Sequence, residues 1–145
     1  MKESVMRSFS GQIGILLLSF ALFTGQGLAA GDPVRGEKLF NGFLRCYACH
    51  SLEPGISKVG PSLAWLYGRA AGTAAGFNGY SEALKTSGVI WYSDTLDEFL
   101  ADPQKFIPGN RMDLDDYFVS DKVSSPQNRA DIVAYLEKAT AEAGF

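Results

Sequence analysis

The six residues from Arg45 to His50, RCYACH, decide how this chain is read, because they hold both cysteines and the only histidine of its 145 residues. Cys46, Cys49 and His50 form a C-x-x-C-H pattern. Thiolate sulfur and imidazole are the side-chain donors best suited to borderline and soft transition metals. A chain that gathers all of them into five consecutive positions concentrates its metal-binding chemistry at one point.

Four chemistries compete for such a stretch. A disulfide between Cys46 and Cys49 would close a very small loop and constrain little of the chain. A redox-active pair would be expected after a strand in an α/β pattern, and no such pattern occurs. Zinc would find at most three ligands in Cys46, Cys49 and His50, with no other Cys or His to complete a tetrahedron. A chance cluster of inert cysteines leaves the rest of the chain unexplained. Covalent haem c attachment requires this spacing. Two thiols separated by two residues reach the two vinyl groups on one porphyrin edge, and the next residue, His50, swings beneath the ring to the iron. Tyr47 and Ala48 are then spacers.

The rest of the chain asks for such a cofactor. Hydrophobic content is 46% and charged content 20%, ordinary for a soluble domain. The formal charge of −3 provides no basic footprint for nucleic acid. Residues 1–30 read as a secretory signal peptide. Lys2 and Arg7 begin it, the apolar run Ile13–Phe23 follows, and small residues end it, with cleavage after Ala29 or Ala30. The alternative is an uncleaved anchor, since no charge occurs from Ser8 to Gly31. Either way the remainder, 31–145, is expected outside the cytoplasm, in the periplasm. Losing Lys2, Arg7 and Glu3 takes the charge from −3 to −4 and leaves Met112 as the last methionine.

The mature part reads as all-α with long loops. Asp32-Pro33 starts a helix whose stripe is Val34, Gly36, Leu39, Phe40 and Phe43. Leu52–Ser62 is loop, Leu63–Gly68 a short helix or turn, and Ala70–Gly79 flexible by composition. Ser81 caps a short helix through Thr86, stopped at Gly88. Thr95-Leu96-Asp97-Glu98 has the capping-box pattern, and Pro103 ends that helix. Phe106–Ser125 reads as irregular. Ser125-Pro126 opens the last helix, with Ile132, Val133, Tyr135 and Leu136 on its apolar side and Gly144 closing it. A small domain with this much irregular chain needs a staple such as a bulky cofactor.

With His50 on one side of the iron, one axial position is left. No second histidine exists, so the one soft neutral donor is the thioether of Met112, in the turn-rich segment FIPGNRM. A lysine or a vacant position are the alternatives, and a lone methionine can also be a core filler. Two axial ligands leave no place for oxygen or peroxide, which separates an electron carrier from a haem enzyme.

Several segments in order make the chain resemble class I cytochrome c, of the mitochondrial type and its bacterial relatives: GDPVRGEKLF, CYACH, KVGPSLAWLYGR, GFNGYSEA, IWYSDTLDEFLADPQKFIPGNRM and NRADIVAYLEKAT. The resemblance covers roughly Gly31–Thr140. It implies the cytochrome c fold, with N- and C-terminal helices crossing and short helices and long loops around one covalently attached haem c. It implies Cys46 and Cys49 holding the porphyrin, and His50 and Met112 as the axial iron ligands. Pro61 would offer its carbonyl to His50. Tyr80 and Trp91 would hydrogen-bond a haem propionate with Arg69 nearby, and Asn110 would lie on the methionine side. Gly36 and Phe40 would pack against Ile132 and Tyr135. Three departures are visible: two extra residues between Phe40 and Cys46, Phe99 where a tyrosine is frequent, and about six extra residues between Met112 and Arg129. Leu114, Tyr117 and Phe118 are candidates to cover the haem edge there.

The resemblance implies a periplasmic carrier of single electrons, monomeric, that is not an enzyme. It would dock a quinol-oxidising complex or dehydrogenase as donor and an oxidase, reductase or photosynthetic centre as acceptor. It would bind no nucleic acid, and would meet a membrane only if the leader is kept. A dedicated electron-transfer subunit of one dehydrogenase or reductase complex is the alternative. A ligand-binding haem protein would require Met112 to be off the iron. Lys58, Lys85, Lys105 and Arg111 form a weaker version of the family's lysine-rich face, while Asp113, Asp115, Asp116 and Asp121 crowd the segment after Met112.

Overall fold

The computed structural model describes residues 30–43, 46–112 and 123–141. Residues 1–29 of the expected leader, and Leu114, Tyr117, Phe118 and Gly144, lie outside these residues. Among the described residues the fold is helical, and the one β feature is an isolated antiparallel bridge between Ala70 and Ile90. No helix among them is long and apolar enough to cross a membrane.

Helix α1 (Pro33–Lys38) starts where Asp32-Pro33 predicts: the Asp32 carboxylate accepts the Val34 amide at 2.9 Å, and proline occupies the first turn, where its missing N–H costs nothing. The helix widens into a π turn at Leu39–Phe43. A π turn takes up extra chain without ending the helix, which accommodates part of the two-residue excess between Phe40 and Cys46. Helix α2 is a single turn, Cys46–Cys49. Helix α3 (Glu82–Lys85) is capped by the Ser81 hydroxyl, which accepts the Leu84 amide at 3.2 Å.

Helix α4 (Ser93–Ala101) begins two residues before the expected capping Thr95. Thr95 instead sits inside the first turn, where its hydroxyl oxygen accepts the Tyr92 amide at 2.9 Å and its hydroxyl donates to the Ile90 carbonyl at 2.8 Å. Pro103 does end α4, and it also opens helix α5 (Pro103–Phe106), with Asp102 accepting the Lys105 amide at 2.9 Å. This repeats the Asp-Pro device of α1. Helix α6 (Pro126–Ala141) is the last element.

Helix α6 lies against both α1 and α4. Phe40, Leu66, Trp91, Leu96, Phe99, Leu100, Ile107, Val123, Ile132, Val133 and Leu136 form one buried cluster. Burying a side chain of this size is worth about 2 kcal/mol. The crossing of α1 and α6 is as expected: the Phe40 and Tyr135 rings lie 5.5 Å apart, and Gly36 touches Asp131 and Tyr135. Arg129 ties α6 to α4 through Asp97 at 2.9 Å and reaches the carbonyls of Val123 and Ser124.

The crossing also contains a polar lock that sequence reading did not identify. Asp131, 2% exposed, accepts Arg35 Nε at 2.8 Å and Nη2 at 2.9 Å, the Asp32 amide at 2.8 Å and Gln127 Nε2 at 3.0 Å. The Arg35 guanidinium, helped by these amide donors and opposed by burial, holds the Asp131 carboxyl down at about 2, against an ordinary value of 3.8. The folded state therefore favours the ionised form. Its contribution is fully present above pH 3.8 and is lost as pH falls toward 2. Thermal melting should lose stability across that acid window, and Asp131→Asn should flatten that loss while costing about 2 kcal/mol at neutral pH. Equal acid slopes for the two proteins would remove Asp131 as the cause.

Candidate metal centre

On the helical turn α2, Cys46 and Cys49 are three residues apart and so share a face. The His50 amide continues the turn by donating to the Cys46 carbonyl at 2.9 Å. Cys46 is half-buried against the core, Cys49 is exposed, and the two form no disulfide. Burial pushes the Cys46 thiol up to about 11, so it is a neutral thiol at neutral pH. Among the described residues no three His, Cys, Asp or Glu side chains converge to hold a metal ion, which leaves a zinc tetrahedron without a donor set.

The chain after His50 doubles back on it. Gly60 N donates to the Cys49 carbonyl at 2.8 Å, and Leu63 N donates to the Ser51 carbonyl at 2.8 Å. The buried Ser62 hydroxyl donates to the Glu53 carbonyl at 2.7 Å. This fold-back places Pro61 O 2.8 Å from His50 Nδ1. A carbonyl only accepts, so Nδ1 carries the proton and Nε2 keeps its lone pair. Burial lowers the His50 pKa, opposed by the Pro61 bond and reinforced by the Lys58 charge. Burial and the Lys58 charge favour the neutral imidazole, the form that ligates metal, and the Pro61 bond orients it. Pro61 thus takes the position expected of it.

Gly60 was missed. A Cβ there would stand 2.5 Å from His50 Cε1 and 2.8 Å from Nδ1. The backbone lies flat against the imidazole, an approach only glycine allows. Gly60 falls in the stretch Leu52–Ser62, which reads as loop, and nothing in its local sequence announces the ring it presses.

Met112 is half-buried and borders the same core as Cys46 and Leu63. Its backbone is fixed by Asn110, which is buried. Asn110 Oδ1 accepts the Met112 amide at 2.8 Å, and Nδ2 donates to the carbonyls of Pro103 at 2.7 Å and Ile107 at 2.9 Å. Arg111 Nη1 donates to Gly79 O at 3.3 Å and links the loop to the segment before Tyr80. Asn110 was expected on the methionine side; its role here is to fasten that side to α5.

Arg69 folds back so that Nη1 donates to Ala64 O at 2.7 Å and Nη2 to Ser62 O at 3.0 Å. The turn that permits this contains Trp65 at φ 54°, the one positive φ outside glycine among the described residues. Arg69 Nε is buried with no hydrogen-bond partner, and among the described residues no carboxylate pairs with the guanidinium. Burial lowers its pKa, the nearby Tyr80 opposing. A buried cation with an orphaned N–H is costly unless an anion completes it. Tyr80 lies close: its hydroxyl oxygen accepts the Ala74 amide at 3.2 Å, keeping its own hydrogen to donate. Trp91 is buried, and its backbone amide donates to the Arg69 carbonyl at 3.1 Å. Phe99 stands edge-on between Trp91 (5.0 Å) and Phe106 (6.4 Å), a purely apolar neighbour without a hydroxyl.

These residues suit one ligand type. Paired thiols on a helical turn, a neutral imidazole with Nε2 available, a methionine with a fastened backbone, and a buried guanidinium with no carboxylate on it among the described residues are groups that would fit a covalently held haem.

No family model matches the chain. It is 47% identical over 113 residues to a cytochrome c of Chlamydomonas reinhardtii, covering 77% of this chain and 93% of that protein. It is 44% identical over 107 residues to a cytochrome c2 of Rhodopila globiformis, covering 74% and 92%. Among solved structures, cytochrome cH from Methylobacterium extorquens superposes with a TM-score of 0.62 at 40% identity, covering 74% of this chain and 99% of that one.

Proposed function

Because the chain belongs to the class I cytochrome c family, whose members carry one covalently attached haem c, we propose that it is a periplasmic single-electron carrier with haem c on Cys46 and Cys49 and iron between His50 and Met112. Bound there, the haem supplies a one-electron couple between Fe(III) and Fe(II). The observation that carries the reading is the His50 imidazole, fixed by Pro61 O with Nε2 left to ligate.

The protein's part would be to hold His50 and Met112 where the haem could use them. Pro61 and Gly60 set the imidazole plane. Asn110 holds the backbone of Met112, so the thioether returns to one place. Arg69 and Tyr80 place donors where a propionate charge needs neutralising, and the aromatic cluster of Trp91, Phe99 and Phe106 keeps that side dry. As an iron ligand, the Met112 thioether would favour Fe(II) and raise the potential. With His50 and Met112 both on the iron, the haem would offer no position to a substrate, so the chain would act as a carrier and not as an enzyme. Residues 1–30 act as its export signal, and 31–145 as the mature domain. The donor is a quinol-oxidising complex or dehydrogenase, and the acceptor an oxidase, reductase or photosynthetic centre.

The test is the visible spectrum of the purified oxidised and reduced protein, with its mass. The wild type should carry one haem, display the far-red band of ferric thioether ligation and ignore carbon monoxide. Met112→Ala should lose that band, bind carbon monoxide stoichiometrically and drop in potential by on the order of 0.1 V. A wild type that lacks the band and binds carbon monoxide would overturn the carrier reading.

A further inference from the structure

We infer that Gln104 is a positioning residue for the sixth iron ligand: its side-chain carboxamide clasps the loop that carries Met112 onto helix α5, and so governs how often the thioether leaves the iron. The inference rests on Met112 as an iron ligand, as proposed above, and extends that reading to a residue outside the ligand set.

Ile107-Pro108-Gly109-Asn110 is a tight turn. The Asn110 amide donates to the Ile107 carbonyl at 3.1 Å, proline takes the second position and glycine the third, at φ 86°. That is the order a type II turn demands, since its third residue needs a positive φ. Such a turn leaves the Gly109 N–H and the Asn110 C=O to be satisfied from outside. Gln104 meets both. Its Oε1 accepts the Gly109 amide at 3.3 Å, and its Nε2 donates to the Asn110 carbonyl at 3.0 Å. A carboxamide carries an acceptor and an uncharged donor side by side, so the two bonds also fix which end of the side chain is which.

The clasp is reciprocal. Asn110 Nδ2 reaches back to the carbonyls of Pro103 at 2.7 Å and Ile107 at 2.9 Å. The side chain of Asn110 thus grips the backbone of α5, while the side chain of Gln104 grips the backbone of Asn110. Asn110 is buried, and its Oδ1 accepts the Met112 amide at 2.8 Å. That bond depends on the Asn110 backbone staying against α5. Gln104 is exposed, so its two bonds can open without disturbing the core. It is the outer half of a latch. When it lets go, the Gly109–Asn110 backbone is freed to swing, Asn110 Oδ1 moves off the Met112 amide, and the thioether is drawn from its place.

The consequence is local. A loop that opens by itself belongs to the low-stability end of a protein. Losing both bonds of Gln104 should make that opening about fivefold more frequent. Helices α1 and α6, held by their own contacts through Phe40, Tyr135 and Asp131, should not respond. The latch can also be made to titrate. A glutamate at this position accepts from Gly109 in either ionisation state, but donates to the Asn110 carbonyl only when protonated. An ordinary glutamate ionises at about pH 4.3, so Gln104→Glu should hold the loop in acid and release it at neutral pH. Asp102 and Lys105 flank the position on α5, and Arg111 lies in the loop. These groups are common to wild type and variant and cancel in the ratio of the two.

The experiment uses the haem-loaded ferric protein. The rate at which saturating imidazole abolishes the far-red band reports Met112 leaving the iron. Amide hydrogen exchange at Met112 reports the loop, and exchange at Val133 in α6 reports the fold as a whole. Gln104→Leu should raise the imidazole rate and the Met112 exchange rate about fivefold at pH 7, and leave Val133 within about twofold of wild type. For Gln104→Glu, the Met112 exchange rate relative to wild type should be below about twofold at pH 4 and about fivefold at pH 7. Wild-type rates in Gln104→Leu, or a Gln104→Glu ratio that does not change with pH, would overturn the inference. Equal acceleration at Val133 would do so as well, by making Gln104 a general stabiliser. So would faster Met112 exchange with an unchanged imidazole rate, since the loop would then move without the ligand. A wild type that lacks the far-red band takes Met112 off the iron; the proposed ligation then falls, and this inference with it, before any variant is compared.

Discussion

Replacing Gly60 by alanine will strip the protein of properly ligated haem. The Cβ would stand 2.5 Å from His50 Cε1 and 2.8 Å from Nδ1, closer than carbon and ring atoms approach without repulsion. Relief requires the ring or the backbone to move. The ring is tethered at Nδ1 to Pro61, the very next residue, and the Gly60 amide is bonded to the Cys49 carbonyl. Moving the loop outward lengthens both bonds; rotating the imidazole turns Nε2 away from the axis the iron requires. Either response disturbs the group that orients the ligand, and losing such an orienting contact costs about 10- to 100-fold in metal affinity. We expect at least a tenfold lower yield of haem-loaded protein from Gly60→Ala, with the surviving fraction binding carbon monoxide. The comparison substitution is Gly55→Asn, at a position where a Cβ meets nothing within 4 Å and φ is +72°, tolerated by asparagine. It should load normally. Wild-type haem content and spectrum in Gly60→Ala would refute the account of a ring held flat against glycine.

What the sequence made legible follows the kind of physics involved. Cys46, Cys49, His50 and Met112 could be singled out because each chemistry demands a particular residue type, and this chain contains few of them. Asp32, Pro33, Ser81 and Pro126 mark helix starts because capping is a contact between near neighbours. Helix α5 was missed although Asp102-Pro103 carries the same local signal as Asp32-Pro33, because the proline was read only as the end of α4. Thr95 misled by one turn: it is not the N-cap but the third helical residue, and its hydroxyl accepts the amide of the N-cap Tyr92 and donates to the Ile90 carbonyl. The lock of Arg35 on Asp131 and the press of Gly60 on His50 were not legible. The first joins residues almost a hundred positions apart, and the second depends on a loop folding back, which no local pattern encodes. Family resemblance located Asn110 and Arg69 roughly; that one fastens Met112 and the other has a buried Nε lacking a partner emerges only from packing.

Gly36→Ala should be strongly destabilising. The new carbon would fall on the carbonyl of Asp131, 2.6 Å from its carbon, and 2.7 Å from Tyr135 Cβ. These are backbone and near-backbone atoms of the adjacent helix, so no rotamer change relieves the clash. Helices α1 and α6 must separate. Separation then draws Asp32 and Arg35 away from Asp131, a carboxylate 2% exposed that would be left in the interface short of partners, and it opens the contact between Phe40 and Tyr135. Overpacking alone costs about 1–3 kcal/mol, and leaving the Asp131 carboxylate short of hydrogen-bond donors adds to it. We expect more than about 3 kcal/mol, a large share of the total for a domain of this size, and a fall in Tm above about 12 °C. The contrast is Gly42→Ala in the same stretch of chain. There a Cβ meets nothing within 4 Å, and exchanging glycine for alanine in a helical turn gains up to about 1 kcal/mol. Haem-loaded proteins compared by thermal melting should therefore diverge in opposite directions from the wild type. Equal melting temperatures for the two variants would mean that the crossing tolerates a wider spacing, and that Gly36 is not what sets it.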